Sequence, residues 1–120
     1  VCDFFSFGTN DLTQLTFGFS RDDAAKFLKD YYNKNILSHD PFMSLDTNGV
    51  GTLVKIATQM SKSIKPNISL GVCGEHAADE KSYQFFDKFG LSYISASAYR
   101  VPVAKLAAAK AALANSKDIA

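Results

Sequence analysis

Leu70-Gly71-Val72-Cys73-Gly74-Glu75-His76 reads as the end of a short buried strand that runs straight into a glycine-flanked turn. The turn carries a thiol, a carboxylate and an imidazole within four positions. Small residues flank the thiol on both sides, so a ligand or another backbone can come close. Reactive groups presented by a loop at the C-terminal end of a strand are the usual equipment of α/β enzymes. A second stretch of the same design, Phe4-Phe5-Ser6-Phe7-Gly8-Thr9-Asn10-Asp11, lies near the N-terminus.

Working outward, the pattern alternates between strands and helices. Residues 1–7 are aromatic-rich and β-like, and Gly8-Thr9-Asn10-Asp11 is a turn with capping chemistry. Leu12–Phe19 is a short helix or a packed loop. Asp22 or Asp23 caps a helix over roughly 23–34, where Ala24, Phe27, Leu28 and Tyr31 recur at helical spacing. Residues 35–46 form a connecting loop. A helix over 48–64 carries Val50, Leu53, Val54, Ala57, Met60 and Ile64 on one stripe, and Lys65-Pro66-Asn67 ends it. Ile68–Val72 is the second strand. Asp79 caps a helix to Phe89, with Gly90 at its C′ position. Leu91–Ser95 is the third strand, Ser97–Arg100 a turn, and a helix entered at Pro102 runs to Ala114, after which the chain frays.

The order β-α-β-α-β-α implies parallel strands joined by right-handed crossovers. All strand-to-helix turns then share one sheet edge, so Asp11 and Cys73 belong to the same edge although far apart in sequence. Three strands are too few to close a barrel. The chain opens Val1-Cys2-Asp3 without an initiator methionine and enters a strand at once, so it is expected to be a C-terminal piece of a longer polypeptide.

The 120 residues bound one domain at most, and 47% hydrophobic with 21% charged residues is a globular composition. A net charge of +1 gives no electrostatic case for nucleic acid or an anionic membrane surface. There is no apolar run of membrane-spanning length, and the two cysteines, Cys2 and Cys73, make no disulfide framework and favour a reducing compartment.

Each candidate has a bland reading beside a functional one. Cys73 is either a small buried strand-end residue or a reactive thiol. Asp11 is either part of a turn-and-cap pair or a hard-cation ligand, for magnesium takes one or two carboxylates with substrate oxygens and waters. Backbone N–H groups at Gly8 and Thr9 suit an anionic ligand. Cys73-x-x-His76 has zinc-ligand spacing but lacks a second pair, and the Cys-x-x-Cys of a redox site is absent. Ser20-Arg21-Asp22-Asp23 reads first as a solvated cap, and Tyr99-Arg100 as a helix-entry turn with a possible reach to an anion.

Phe5–Gln14, Phe17-Gly18, Ser20–Asp23, Gly71–His76 and Ser95–Pro102 together resemble the pyruvate, phosphate dikinase family, a branch of the phosphoenolpyruvate (PEP)-utilising enzymes. The resemblance spans nearly the whole chain, and Ala77-Ala78 departs from the more usual glycines. It implies that residues 1–120 are the last three βα units of a (β/α)8 TIM barrel, the C-terminal portion of a PEP/pyruvate-binding domain. It implies Cys73 as the catalytic proton donor, Gly8, Thr9, Asn10 and Asp11 as substrate-binding, and Asp11 as a Mg2+ ligand. Gly74, Glu75 and His76 would support the thiol. The reaction implied interconverts ATP, phosphate and pyruvate with AMP, diphosphate and PEP. Its partners would be a phosphohistidine domain and an ATP-grasp domain of the same full-length chain, as a homodimer in the cytoplasm. A second magnesium carboxylate and the substrate arginines would lie upstream, so the isolated fragment is expected to be inactive. PEP synthase and other PEP-utilising phosphotransferases are alternatives within the family. An alternative of another class is a non-catalytic partial barrel that self-associates through open strand edges.

Overall fold

Three parallel strands form the framework of the computed structural model, which describes residues 2–117 and the side chains of 2–114. β1 (Phe4–Gly8), β2 (Ser69–Cys73) and β3 (Tyr93–Ser95) lie in the order β1-β2-β3. β2 is central, and Leu70, Gly71 and Val72 within it are buried, as a continuous apolar run covered on both faces requires. The register pairs Phe7 with Val72, Gly8 with Cys73, and Cys73 with Ser95, so the three strand ends meet at one edge. The expected parallel α/β arrangement is present.

Helices fill the crossovers. α1 (Thr9–Phe17), α2 (Arg21–Ala24), α3 (Leu28–Asn33) and α4 (Val50–Ile64) connect β1 to β2; α5 (Glu80–Lys88) connects β2 to β3; α6 (Val101–Lys117) follows β3. Leu45, Val50, Val72, Ala77 and Phe86 make the main core, with Phe7, Leu12, Phe17 and Ile94 packed around it. Burying a ring such as Phe86 contributes roughly 1.5–3 kcal/mol.

The structure revises several sequence expectations. Gly8–Asp11 is no open turn: α1 begins at Thr9, directly off the strand. The single helix expected over 23–34 is two short pieces. Ser20, rather than Asp22 or Asp23, is the N-cap, its hydroxyl accepting from the Asp22 N–H at 3.2 Å. Phe27 then leaves helical geometry at φ −126°. Its ring sits edge-on to Phe19 with centroids 5.1 Å apart, and Phe19 meets Phe42 at 5.9 Å. This aromatic cluster, built on Ala24, Leu28 and Phe42, outweighs the local helical preference. On α4 the buried residues are Val50, Gly51, Val54 and Thr58, while Leu53, Met60 and Ile64 of the expected stripe are exposed. Three strands offer this helix only a narrow face to cover. α6 begins one residue before Pro102 and continues to Lys117, past the expected end at Ala114; the expected fraying of the last residues lies outside the described ones.

Asp79 caps α5 as expected. Its Oδ2 accepts from the Ser82 N–H at 2.9 Å, from the Ser82 hydroxyl at 2.6 Å and from the Ser44 hydroxyl at 3.0 Å. Burial alone would raise this carboxyl, but the Ser82 and Ser44 hydrogen bonds and the nearby His76 hold it below its ordinary value. Ser82 Oγ in turn accepts from the Leu45 N–H at 2.9 Å, so the cap also fastens the loop before α4. Asp79→Ala is expected to destabilise the chain by about 1–2 kcal/mol. An unchanged midpoint in chemical denaturation would show that the cap carries no weight. Gly90, at φ +66°, ends α5 in the left-handed conformation expected of a C′ glycine.

Candidate active site at the strand ends

Because Gly8 and Cys73 are register partners, the run that leaves β1 and the turn that leaves β2 start side by side. Thr9 is buried, with its Oγ1 2.9 Å from the Cys73 carbonyl oxygen and 2.8 Å from His76 Nδ1. The Cys73 thiol donates to the Phe7 carbonyl at 3.5 Å, which orients it across the β1–β2 seam. Gly74 has φ +118° and ψ 177°, a region open essentially to glycine alone. A Cβ there would stand 2.6 Å from Thr9 Oγ1 and 3.2 Å from Asn10 Oδ1. Small size and unusual backbone are thus both needed where the two turns touch. After Gly74 the chain makes a 3-10 turn over Glu75–Ala78 that buries His76, Ala77 and Ala78.

Gly8, Thr9, Asn10, Cys73, Gly74 and His76 are therefore one cluster. Asp11 heads outward from it: the side chain is exposed, and its Oδ1 takes the Gln14 amide at 3.4 Å. Glu75 faces Arg21, 3.9 Å from carboxylate to guanidinium, rather than the thiol. Ser20-Arg21 thus reaches the site edge instead of being only a solvated cap. The turn holding Tyr99 and Arg100 follows β3 at the same sheet edge, with Tyr99 exposed and Arg100 half-buried.

His76 does not support the thiol through a contact of its own. Its Nε2 lies 2.7 Å from the Pro41 carbonyl and its Nδ1 on Thr9, which ties the loop before α4 to the start of α1. Sequence reasoning passed over Pro41 because a backbone carbonyl leaves no mark in residue type. With both ring nitrogens engaged, the zinc-like spacing of Cys73 and His76 has no free imidazole donor. Burial pushes the His76 imidazole below its ordinary 6.5, against the Pro41 carbonyl and the Asp79 and Asp40 carboxylates, with Arg21 adding to the lowering. A group with a depressed folded value is neutral in folded and unfolded chain above about pH 6.5, and below it the unfolded chain takes up the proton first. Stability should therefore fall as pH drops through 6.5 towards the depressed value. Denaturation midpoints compared at about pH 7.5 and about pH 5.5, with His76→Gln flattening the difference, check this.

What would hold a cation here is Asp11. Among the described residues no three His, Cys, Asp or Glu side chains gather into a metal-binding group. An exposed carboxylate with one weakly engaged oxygen does fit an ion that completes its shell with substrate oxygens and waters. Beside it in sequence, Asn10 Oδ1 is buried with no hydrogen-bond partner among the described residues, and as an acceptor it fits a cation or a hydrogen-bond donor. A hollow of about 260 Å3 between α5, β3 and α6, lined by Phe86, Tyr93 and Ala104 among others, holds none of these side chains and is set apart from the chemistry. No described helix is long and apolar enough to cross a membrane.

Comparison with known proteins identifies the family of the chain. A family model described as "PEP-utilising enzyme, PEP-binding domain" matches residues 1–113. The chain is 57% identical over 113 residues to pyruvate, phosphate dikinase of Clostridium symbiosum, covering 94% of this chain and 13% of that protein. It is 56% identical over 108 residues to the chloroplastic enzyme of Flaveria pringlei, covering 90% of this chain and 11% of that protein. For the chloroplastic pyruvate, phosphate dikinase 1 of Arabidopsis thaliana the figures are 55% over 112 residues, 93% and 12%. The chain thus spans about an eighth of the length of the curated relatives it matches. With nearly all its residues matched and the two strand-end turns joined into one cluster, the chain belongs to the PEP-binding domain family of PEP-utilising enzymes.

Proposed function

We propose that this chain supplies the enolate-handling half of a pyruvate, phosphate dikinase: the last three βα units of a (β/α)8 barrel that binds PEP and pyruvate. The observation that carries the reading is the Gly8–Cys73 pairing, which sets the Thr9–Asp11 run beside the Cys73–Gly74 turn. Apolar side chains exposed on α4 and α6, among them Met60, Ile64 and Leu106, support a larger barrel that covers them. The phosphohistidine and ATP-grasp domains belong to the rest of such a full-length chain, which we take to be a cytoplasmic homodimer.

In this reading, transfer of the PEP phosphoryl group to the histidine of the phosphohistidine domain leaves the enolate of pyruvate. Its methylene carbon takes a proton from the Cys73 thiol, giving pyruvate and a thiolate; in reverse the thiolate withdraws a proton from the pyruvate methyl group. The first-turn N–H groups of α1 and the Asn10 side-chain N–H groups donate to the anion and orient it. Asp11 would hold Mg2+ in part, and the bound ion would supply electrostatic stabilisation for negative charge on the enolate oxygen. Asp11→Ala in the full-length enzyme is expected to weaken Mg2+-dependent binding of oxalate, an enolate mimic, by about tenfold or more. Titration calorimetry with and without Mg2+ measures this. Unchanged Mg2+-dependent affinity would remove Asp11 from the metal site.

A further inference from the structure

The contacts of His76 pose a question of proton count. The Pro41 carbonyl can only accept, so Nε2, 2.7 Å away, carries a hydrogen. In the neutral ring Nδ1 is then a bare acceptor. The Thr9 hydroxyl has a single proton and two acceptors within reach, Nδ1 at 2.8 Å and the Cys73 carbonyl at 2.9 Å. It can serve only one of them at a time. The ring is buried and is fixed at both nitrogens, by Thr9 and by the Pro41 carbonyl.

We propose that His76 is a positioning residue for the strand-end site: anchored on the Pro41 carbonyl, its Nδ1 accepts a hydrogen bond from the Thr9 hydroxyl and thereby ties the head of α1 to the Glu75–Ala78 turn that follows Cys73–Gly74. The inference rests on the enolate reading above. Thr9 opens the Thr9-Asn10-Asp11 run, and its Oγ1 and the Asn10 amide occupy the space that a Cβ on Gly74 would need. A shift of Thr9 therefore displaces the anion-binding turn and the thiol-bearing turn together. Displacements of about 1 Å in such a constellation can cost about a hundredfold in rate. Asp40 and Pro41 come from the loop before α4, and Asp79 from the start of α5, so His76 is where these segments are tied to the site. Its nearest charged groups are the carboxylates of Asp79 and Asp40 and the Arg21 guanidinium.

The two ring nitrogens can be tested separately in the full-length enzyme carrying this segment. The assay is exchange of pyruvate methyl protons with deuterium, followed by NMR. His76→Gln keeps a donor for the Pro41 carbonyl and removes the acceptor facing Thr9; His76→Asn keeps a polar group near the Nδ1 position. His76→Gln should lower kcat/KM for exchange by about 30-fold, and His76→Asn should stay within about 3-fold of the parent enzyme. Thr9→Val should lose about as much as His76→Gln. The double variant Thr9→Val/His76→Gln should lose no more than Thr9→Val alone, because one hydrogen bond has already gone. Losses that multiply in the double variant, or a His76→Gln enzyme with parental exchange, overturn the positioning role. Should His76→Asn not fold, the cycle with Thr9→Val decides by itself. A Cys73→Ala control separates the two layers: parental exchange there defeats the enolate reading itself, whereas lost exchange there with additive His76 and Thr9 effects defeats only this inference.

Discussion

Cys73→Ala in the full-length enzyme should reduce pyruvate enolisation by about 10²–10⁴-fold, the contribution typical of a positioned acid or base, while phosphohistidine formation from ATP persists. The thiol sits at the end of β2, half-buried, with its proton directed at the Phe7 carbonyl across the seam to β1. Removing it takes away one sulfur and leaves Gly74, Thr9 and His76 in place. The structural cost should be small, on the order of 1 kcal/mol for a half-buried group. Rate and stability are therefore expected to part company: a large loss in proton exchange with a nearly unchanged denaturation midpoint. Enolisation at the parental rate would end the assignment of Cys73 as proton donor. A parallel loss of phosphohistidine formation would point to general misfolding instead.

Gly74→Ala should have the largest effect on the fold of the site. At φ +118° and ψ 177°, any residue with a Cβ incurs roughly 1–3 kcal/mol of backbone strain. The added methyl would also lie 2.6 Å from Thr9 Oγ1, closer than real Cβ contacts allow, and 3.2 Å from Asn10 Oδ1. Thr9 cannot easily yield, since it is buried with its Oγ1 2.8 Å from His76 Nδ1 and 2.9 Å from the Cys73 carbonyl oxygen. Strain and overpacking together should reach about 3 kcal/mol or more. In the full-length enzyme the same change should raise the KM for pyruvate, because relief of the clash moves Thr9 and Asn10. A Gly74→Ala protein of parental stability would mean that the turn relaxes at little cost and that the glycine is not required there.

The site was partly legible in the residues. Glycines flanking Cys73, and Gly8 ahead of Thr9-Asn10-Asp11, marked two turns of the same kind, and alternation of strand and helix patterns put both on one sheet edge. The Gly8–Cys73 register made that edge a contact. Glu75 and His76 are sequence neighbours of the thiol, which by itself suggests that they act on it. Instead, a 3-10 turn swings His76 inward to Thr9 and Pro41 and brings Glu75 towards Arg21. Adjacency over three positions says little about direction once the backbone leaves the extended form at a residue like Gly74.

The sequence by itself determined the parallel α/β order, the ends of α4 and α5, the Asp79 cap and the Gly90 stop, because these follow from local propensity and hydrophobic period. It also carried the family, in motifs spread along nearly the whole chain. Only the tertiary structure decided that the helix expected over 23–34 breaks at Phe27, that Leu53, Met60 and Ile64 stay exposed, and that His76 joins Thr9 to Pro41. The physical reason is common to all three. Aromatic packing, the width of sheet available to a helix, and hydrogen bonds spanning 67 and 35 positions are set by what meets in space, and no local pattern of residue types encodes them.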